Sequence, residues 1–404
     1  MSRTFVNWSG SLTFTASGQA EPADEDEVRE LVSRARESGT TLRPVGSGHS
    51  SSPLVRTDGT LVSLHRLAGV IDKAGDRATV GGGSRLSELG ERLYDAGLAM
   101  ENLGDVDYQT IAGATATGTH GSGLRFGVLS TQVSEVRLVT GTGEVLDVSA
   151  TSNSDLLPAA RLSLGVLGVV TQLTLDLLPR QDLRRLAWCA PVRWTLDHLA
   201  ELQQANRNMD FYWYPRSDLT KIRIINRADE VPEVPIEASR MSRSEGWYAP
   251  AELEIGPTHH TIPRHRELRF DEIEYMIPSE AFPDCFAEVR RRILDRHRRT
   301  VGWRVLVRTV AADDIWLSTA YGRRTTTIAC LQNASLPYED YFRDMETVFR
   351  QYGGRPHWGK KHWLTAAELR PLFPRWDDFQ AARRRLDPDG VFLTPDLARL
   401  LEEA

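Results

Sequence analysis

Apolar residues first fall at helical spacing over residues 24–38, where Val28, Leu31, Val32 and Ala35 recur at i, i+3, i+4 and i+7. An acidic first turn precedes them and Gly39 follows, so the spacing predicts an amphipathic helix with a defined start and stop. Residues 59–64 and 77–83 read as strands. A second helix is predicted where Leu86, Leu89, Leu93 and Ala96 share a face ahead of Gly97. Alternation of strand and helix points to an α+β first half. The pattern then fades: residues 101–127 are rich in Gly, Ala, Thr and Asp with little periodicity. An irregular stretch of that length inside a compact domain is usually functional. Strands resume at 133–139 and 144–148 around Gly141-Thr142-Gly143, a hairpin-like turn.

Beyond Leu177-Leu178-Pro179-Arg180 the character changes. Alternation over 210–214 and 221–225 predicts an antiparallel sheet with one polar face. Residues 228–262 are rich in Pro, Glu and Ser, and their lack of a period predicts an exposed, mobile insertion. A helix over 282–298 ends in a run of arginines that reads as a solvated basic face. Strands at 304–309 and 326–331, a helix over 338–350 and a last amphipathic helix through Phe379, Ala382 and Leu386 complete the chain.

Composition narrows the function classes. A length of 404 residues suggests two domains, divided near 178 into 1–178 and 179–404. A net charge of −6 with mixed signs argues against nucleic acid as a partner. No apolar run reaches the length of a membrane span, and the three cysteines (Cys189, Cys285, Cys330) lack metal-ligand spacing, so a reduced cytoplasmic protein is expected. His259 and His260, with His265 close by, invite a metal reading. No carboxylate or cysteine in the sequence pattern completes a site, so no metal is expected.

Two loops carry the chemistry. In Pro44-Val45-Gly46-Ser47-Gly48-His49-Ser50 and in Thr117-Gly118-Thr119-His120-Gly121-Ser122-Gly123, small residues surround one histidine. Backbone amides in such loops can approach an anionic group closely, which suggests a phosphate-bearing cofactor held across both. No Gly-x-Gly-x-x-Gly opens a strand–helix unit in the Rossmann context, which disfavours a nicotinamide fold.

With Val80-Gly81-Gly82-Gly83, Gly104-Asp105-Val106-Asp107 and the block from Ala112 to Gly121, these loops resemble the FAD domain of the vanillyl-alcohol-oxidase flavoproteins. Arg355-Pro356-His357-Trp358-Gly359-Lys360 and Leu386-Asp387-Pro388-Asp389-Gly390-Val391-Phe392-Leu393 resemble the sugar-lactone and alditol oxidases within that family. The resemblance implies an α+β fold: a two-subdomain PCMH-type FAD-binding domain, then a cap domain whose antiparallel sheet is flanked by helices. Residues from about 355 onward would pack back on the FAD domain. It implies FAD attached covalently through His49. Pro44, Val45, Gly46, Ser47, Gly48, Ser50, Gly104, Asp105, Gly113, Ala114, Thr117, Gly118, Thr119, His120, Gly121, Gly168, Val169 and Val170 would surround the cofactor.

The resemblance also implies oxidation of a CH–OH group of a small molecule, with hydride passing to flavin N5 and O2 or another acceptor as the oxidant. Arg308 and Lys360 match the pocket cations of that family, and His357 lies three residues before Lys360. The plainer alternatives are a strand arginine facing water, a packing His357, and a His120 that only holds its loop. The chain departs from its relatives at Leu306, where a glutamate is usual two residues before the arginine, and at Leu331, where a histidine is usual. Leu306, Leu331 and Gln332 are thus expected at the substrate. An unpartnered Arg308 would favour a less hydroxylated, acidic substrate, unless Glu272 or Glu274 supplies the missing carboxylate. An amine or specialised metabolite as substrate is the alternative function.

Overall fold

The computed structural model describes residues 2–230, 252–263 and 268–403. The chain opens with a hairpin of β1 (Arg3–Val6) and β2 (Thr13–Ala16). A small parallel sheet follows, ordered β3-β5-β4 from β3 (Gly18–Ala20), β4 (Leu42–Val45) and β5 (Thr60–Ser63). Helix α1 (Glu25–Ser38) covers it, and its ends are set locally. The Asp24 carboxylate accepts from the Glu27 amide, and Gly39 takes φ 64° to close the last turn. Val28, Val32 and Ala35 meet Leu42, Val62 and Val169 in a core that also takes in Val391 and Phe392 from the far end of the chain.

An antiparallel sheet ordered β10-β9-β11-β7-β6 forms the second layer, from β6 (Val70–Ala74), β7 (Arg77–Gly81), β9 (Val133–Val139), β10 (Val145–Ser149) and β11 (Val169–Asp176). The two-residue strands β8 (Leu98–Ala99) and β12 (Leu178–Pro179) pair beside it. Helix α2 (Leu86–Asp95) buries Leu86, Leu89 and Leu93 as its period predicts. The stretch 101–127 is less irregular than its composition suggests. It holds helix α3 (Ile111–Ala116), capped by the Thr110 side chain on the Gly113 amide.

After β12 the chain enters an eight-stranded sheet ordered β16-β13-β15-β14-β18-β19-β17-β20. Its strands are β13 (Asp182–Pro191), β14 (Asn208–Tyr214), β15 (Leu219–Arg227), β16 (Glu252–Pro257), β17 (Phe270–Pro278), β18 (Val305–Val310), β19 (Thr325–Asn333) and β20 (Arg355–Pro356). Helices Phe282–Arg292 and Glu339–Gln351 flank it, so the expected α+β cap architecture is present. The arginine run on the first helix is neutralised: Arg290 meets Asp218, Arg291 and Arg292 meet Glu288, and Arg292 and Arg296 meet Asp344.

Residues 252–262 are not loose insertion. Glu252–Pro257 pairs with β13 and the short helix Thr258–Thr261 follows it, because backbone pairing and the Lys221–Glu252 ion pair replace the missing hydrophobic period. Residues 231–251 and His265 lie outside the described residues. The C-terminal segment serves both halves. Arg355 and Pro356 add a strand to the cap sheet. Beyond them the Gly359 carbonyl accepts from the Ser51 amide, Leu386 from Gly141 and Val391 from Leu42. No helix among the described residues is long and apolar enough to cross a membrane.

Candidate active site

Strand β4 ends in Pro44 and Val45 and delivers the chain into the loop 46–50. Gly46 lies against the α3 cap, where a Cβ would sit 2.3 Å from the Thr110 hydroxyl oxygen. Gly48 has φ 66°, which favours glycine, and a Cβ there would meet the Phe5 ring at 2.8 Å. The loop's carbonyls turn outward: Gly48 accepts from the Trp8 amide and Ser50 from the Asn7 side chain. Among the described residues, the amides of Ser47, Gly48, His49 and Ser50 have no protein acceptor. These amides border an open cleft of about 1180 Å³ reaching out to its mouth, whose opposite wall is Gly82, Gly113, Thr117, Gly168 and Val170.

Arg43, buried, ties the two walls together. Its guanidinium donates to the carbonyls of Leu54 and Gly165, at 2.7 and 2.8 Å, and to that of Leu164. Leu164 has φ 52°, an uncommon conformation for leucine and held at the lip of the cleft. Burial pushes Arg43 down to about 9, which still leaves it cationic near neutral pH. His49 lies at the inner end of the cleft under the Trp8 ring, with centroids 4.9 Å apart. Its Nδ1 is buried without a partner, and burial, helped by Lys360, pushes the ring down to about 3. Glycines, free amides and a neutral, orphaned imidazole nitrogen together fit a pyrophosphate cofactor with a ring system ending at His49.

His49, Ser50, Gln109 and Thr117 also border a second cavity, cut into the face of the cap sheet. Strand alternation puts Glu272 and Glu274 of β17, Leu306 and Arg308 of β18, and Thr327, Ala329 and Leu331 of β19 on that face. Across the small Thr327 and Ala329, Arg308 Nη2 donates to Glu274 Oε1 at 2.7 Å. On the other edge of β17, the amides of His357 and Lys361 donate to the carbonyls of Glu274 and Glu272, which sets Lys360 Nζ 2.5 Å from Glu272 Oε2. Two carboxylates and two cations thus share a buried pocket in balanced pairs.

Their protonation follows from burial and partners. Although burial opposes it, Arg308 holds Glu274 well below the usual carboxylate range. Burial pushes Glu272 upward, and Lys360 only partly offsets it. Burial drives His120 and His357 below the ordinary imidazole value, so both are neutral. The Gly359 amide donates to His357 Nδ1 at 3.0 Å, which leaves the ring proton on Nε2. His120 Nδ1 donates to the Gly121 carbonyl at 2.9 Å, so its Nε2 accepts from Arg308. Its 3.2 Å approach to Glu274 is then a contact bridged by Arg308 and no ion pair. His120, Glu274 and His357 also group as metal ligands do, but Arg308 already supplies the cation on that carboxylate.

Comparison with known proteins agrees with this geometry. The FAD binding domain family profile matches residues 16–149, and that of D-arabinono-1,4-lactone oxidase matches residues 251–400. An L-gulono-1,4-lactone dehydrogenase of Mycobacterium tuberculosis is 38% identical over 99% of this chain and 100% of its own length. The chain belongs to the FAD-dependent sugar-lactone and alditol oxidoreductase family.

An alditol oxidase of Streptomyces is 32% identical over 100% of both chains, and the L-gulonolactone oxidase of Mus musculus is 30% identical over 98% of each. Among solved structures, the cholesterol oxidase of B. sterolicum superposes with a TM-score of 0.84 over 99% of this chain and 97% of its own. At 17% identity it shares the fold. Like the rest of its family, the chain is an FAD-dependent oxidoreductase acting on CH–OH groups, and the comparisons do not favour an amine or specialised-metabolite enzyme.

Within this family site, most residues expected from sequence do meet. Pro44 through Ser50, Gly113, Thr117, Gly168 and Val170 line the cofactor cleft. Asp105, Thr119, His120, Leu306, Arg308, Leu331, His357 and Lys360 line the second cavity. Ala114 and Val169 are instead packed into the two hydrophobic cores, while Gly104, Gly118 and Gly121 lie behind the walls. Gln332 points to the opposite face of β19, where it bonds the Gly302 amide and the carbonyls of Thr300 and Pro337, so it does not reach substrate. Arg308 is not the unpaired cation expected from Leu306, because Glu274 supplies the carboxylate from two strands away. Sequence reading passed over Arg43, Arg85, Gln109 and Thr110 in the cleft. Only the neighbouring glycine motifs signalled them.

Removing one member of a buried ion pair leaves the other charge uncompensated, at a cost of about 3–5 kcal/mol. Glu274→Ala is therefore expected to lower the unfolding free energy, measured by denaturant titration, by that amount. Glu274→Ala combined with Arg308→Met should recover most of the loss while leaving turnover abolished. Equal destabilisation in the single and double variants would refute the pairing.

Proposed function

We propose that this enzyme oxidises a ring CH–OH of a sugar 1,4-lactone, with FAD bound covalently through His49 and O2 or another oxidant taking the electrons. The observation that carries this reading is the pair of neutralised carboxylate–cation contacts, Arg308–Glu274 and Lys360–Glu272, in a cavity that shares a wall with the cofactor cleft. Balanced pairs offer both donors and acceptors to hydroxyl groups without demanding a charged ligand. Beside them on the same sheet face, Phe270, Leu306 and Leu331 form an apolar patch suited to the C–H side of a ring, which favours a lactone over an open-chain alditol. The relatives named for gulonolactone support the same class.

FAD supplies the hydride acceptor. Arg308 and Lys360 hold the reacting hydroxyl and steady the negative charge that grows on its oxygen, acting at short range in a site poor in water. Glu272, whose proton affinity burial raises while that of Glu274 is lowered, is the pocket carboxylate better suited to take the hydroxyl proton. His357, neutral and protonated on Nε2, positions a ring oxygen or hydroxyl as a donor.

Three outcomes test these statements. Anaerobic mixing with gulonolactone and galactonolactone should bleach the flavin at millimolar concentration, faster than xylitol or sorbitol; no bleaching by any of the four refutes the substrate class. Lys360→Ala is expected to slow flavin reduction in stopped flow by about 100- to 1000-fold, roughly 2.7–4 kcal/mol, with FAD still bound. On an acid-denatured gel the protein band should fluoresce, and His49→Ala should abolish that band fluorescence while retaining FAD non-covalently.

A further inference from the structure

A second group of ligand-bearing side chains lies away from the active site, where α2 meets the edge of the cap sheet. Glu91 stands on the outer face of α2. His259 and His260 stand on the short helix Thr258–Thr261 that follows edge strand β16. The sequence hides this meeting, because the carboxylate and the histidines are far apart along the chain. In the fold, one Glu91 oxygen lies 2.6 Å from His260 Nε2 and the other lies 3.3 Å from His259 Nε2. The three ligand atoms fall within 4.8 Å of one another.

His259 is the telling residue. Its side chain is only 6% exposed, and its Nε2 is buried with no hydrogen-bond partner among the described residues. The 3.3 Å approach to Glu91 is within ion-pair range but is not aligned as a hydrogen bond. Buried polar atoms are rarely left so, and an orphan nitrogen aimed at a carboxylate and a second imidazole marks a place for a shared cation. The ring is also held in place. It packs on α2 where residue 90 is glycine, since a Cβ there would sit 2.4 Å from His259 Cβ. The Tyr94 ring meets its edge at 5.5 Å, and the His260 ring lies 4.3 Å away.

We propose that Glu91, His259 and His260 bind one divalent transition-metal ion that clasps the cofactor half to the cap sheet. Two imidazole nitrogens and one carboxylate suit Zn²⁺, Ni²⁺, Co²⁺ or Cu²⁺ and disfavour Ca²⁺ and Mg²⁺, which prefer all-oxygen shells. Metal–ligand bonds of about 2.0–2.2 Å place tetrahedral ligand atoms about 3.3 Å apart. His259 already holds that distance from Glu91. The half-exposed Glu91 and His260 need only rotate apart. Water fills the remaining position. An ordinary surface contact would be worth little and would not require a buried, partnerless third member.

The consequence is mechanical. Arg85, just before α2, lines the cofactor cleft, and the Ser87 amide bonds the Asp107 carbonyl in the loop between the two cavities. A metal at Glu91 therefore braces the shoulder of the cleft against the cap without touching substrate.

The test uses tag-free holoenzyme stripped with chelator and titrated calorimetrically with ZnCl2 and NiCl2. One saturable site per chain is expected, weakened at least tenfold in both Glu91→Gln and His260→Gln, with turnover unchanged. Zn²⁺ should raise Tm in the wild type and not in the variants, and Co²⁺ should give visible d–d bands that the variants lose. Absence of saturable binding, or binding of unchanged affinity in both variants, overturns the proposal.

Discussion

A guanidinium taken out of water must have its donors met in good geometry, and at Arg308 the Glu274 carboxylate meets that demand for the whole active site. Meeting it needs β17 and β18 on either side of β19, with Thr327 and Ala329 small enough to be reached across. It also needs the His120 carbonyl, which accepts from Arg308 Nη1 at 3.2 Å and so anchors the second glycine-rich loop against the cap. The pair thus couples sheet register to the position of the cofactor loop. Glu272 and Lys360 repeat the arrangement one strand step along, and the two pairs together keep the pocket near electrical neutrality.

The cofactor loop is held from outside by the two ends of the chain. The N-terminal hairpin bonds its carbonyls and lays Trp8 on His49, while the C-terminal segment bonds Ser51 and Ser52. With the carbonyls engaged on that side, the amides are directed to the cleft. This is a physical reason for a loop of small residues to keep one shape without a core of its own.

Much of this was legible in the residues. The helix over 25–38 announced itself by period, acidic cap and terminal glycine, and the cofactor loop by its composition. Helix α3 did not, because Ile-Ala-Gly-Ala-Thr-Ala is too short and too small for an amphipathic period, and its cap is one threonine. The residues after 251 read as loop because edge pairing to β13 is a tertiary fact that leaves no hydrophobic pattern. The largest misreading was chemical. A two-residue period says that residues 306 and 308 share a face, but not what a neighbouring strand adds to it. Leu306 therefore implied an unpaired arginine, whereas the other reading of the same sequence, a carboxylate supplied by Glu274, is the arrangement the fold contains. Gln332 failed for the related reason that a one-residue step turns a side chain to the opposite face.

The C-terminal crossing sets an order on biosynthesis. The Ser52 hydroxyl donates to the Trp358 carbonyl, 306 residues further along, and Leu42 cannot find its Val391 acceptor until nearly the whole chain has left the ribosome. Lys360 reaches the pocket with the same segment. Contacts so distant close late, because loop-closure entropy is lost before they form. The first sheet and helix, and the glycine-lined walls of the cleft, are built from early residues, while the braces behind the cofactor loop close late.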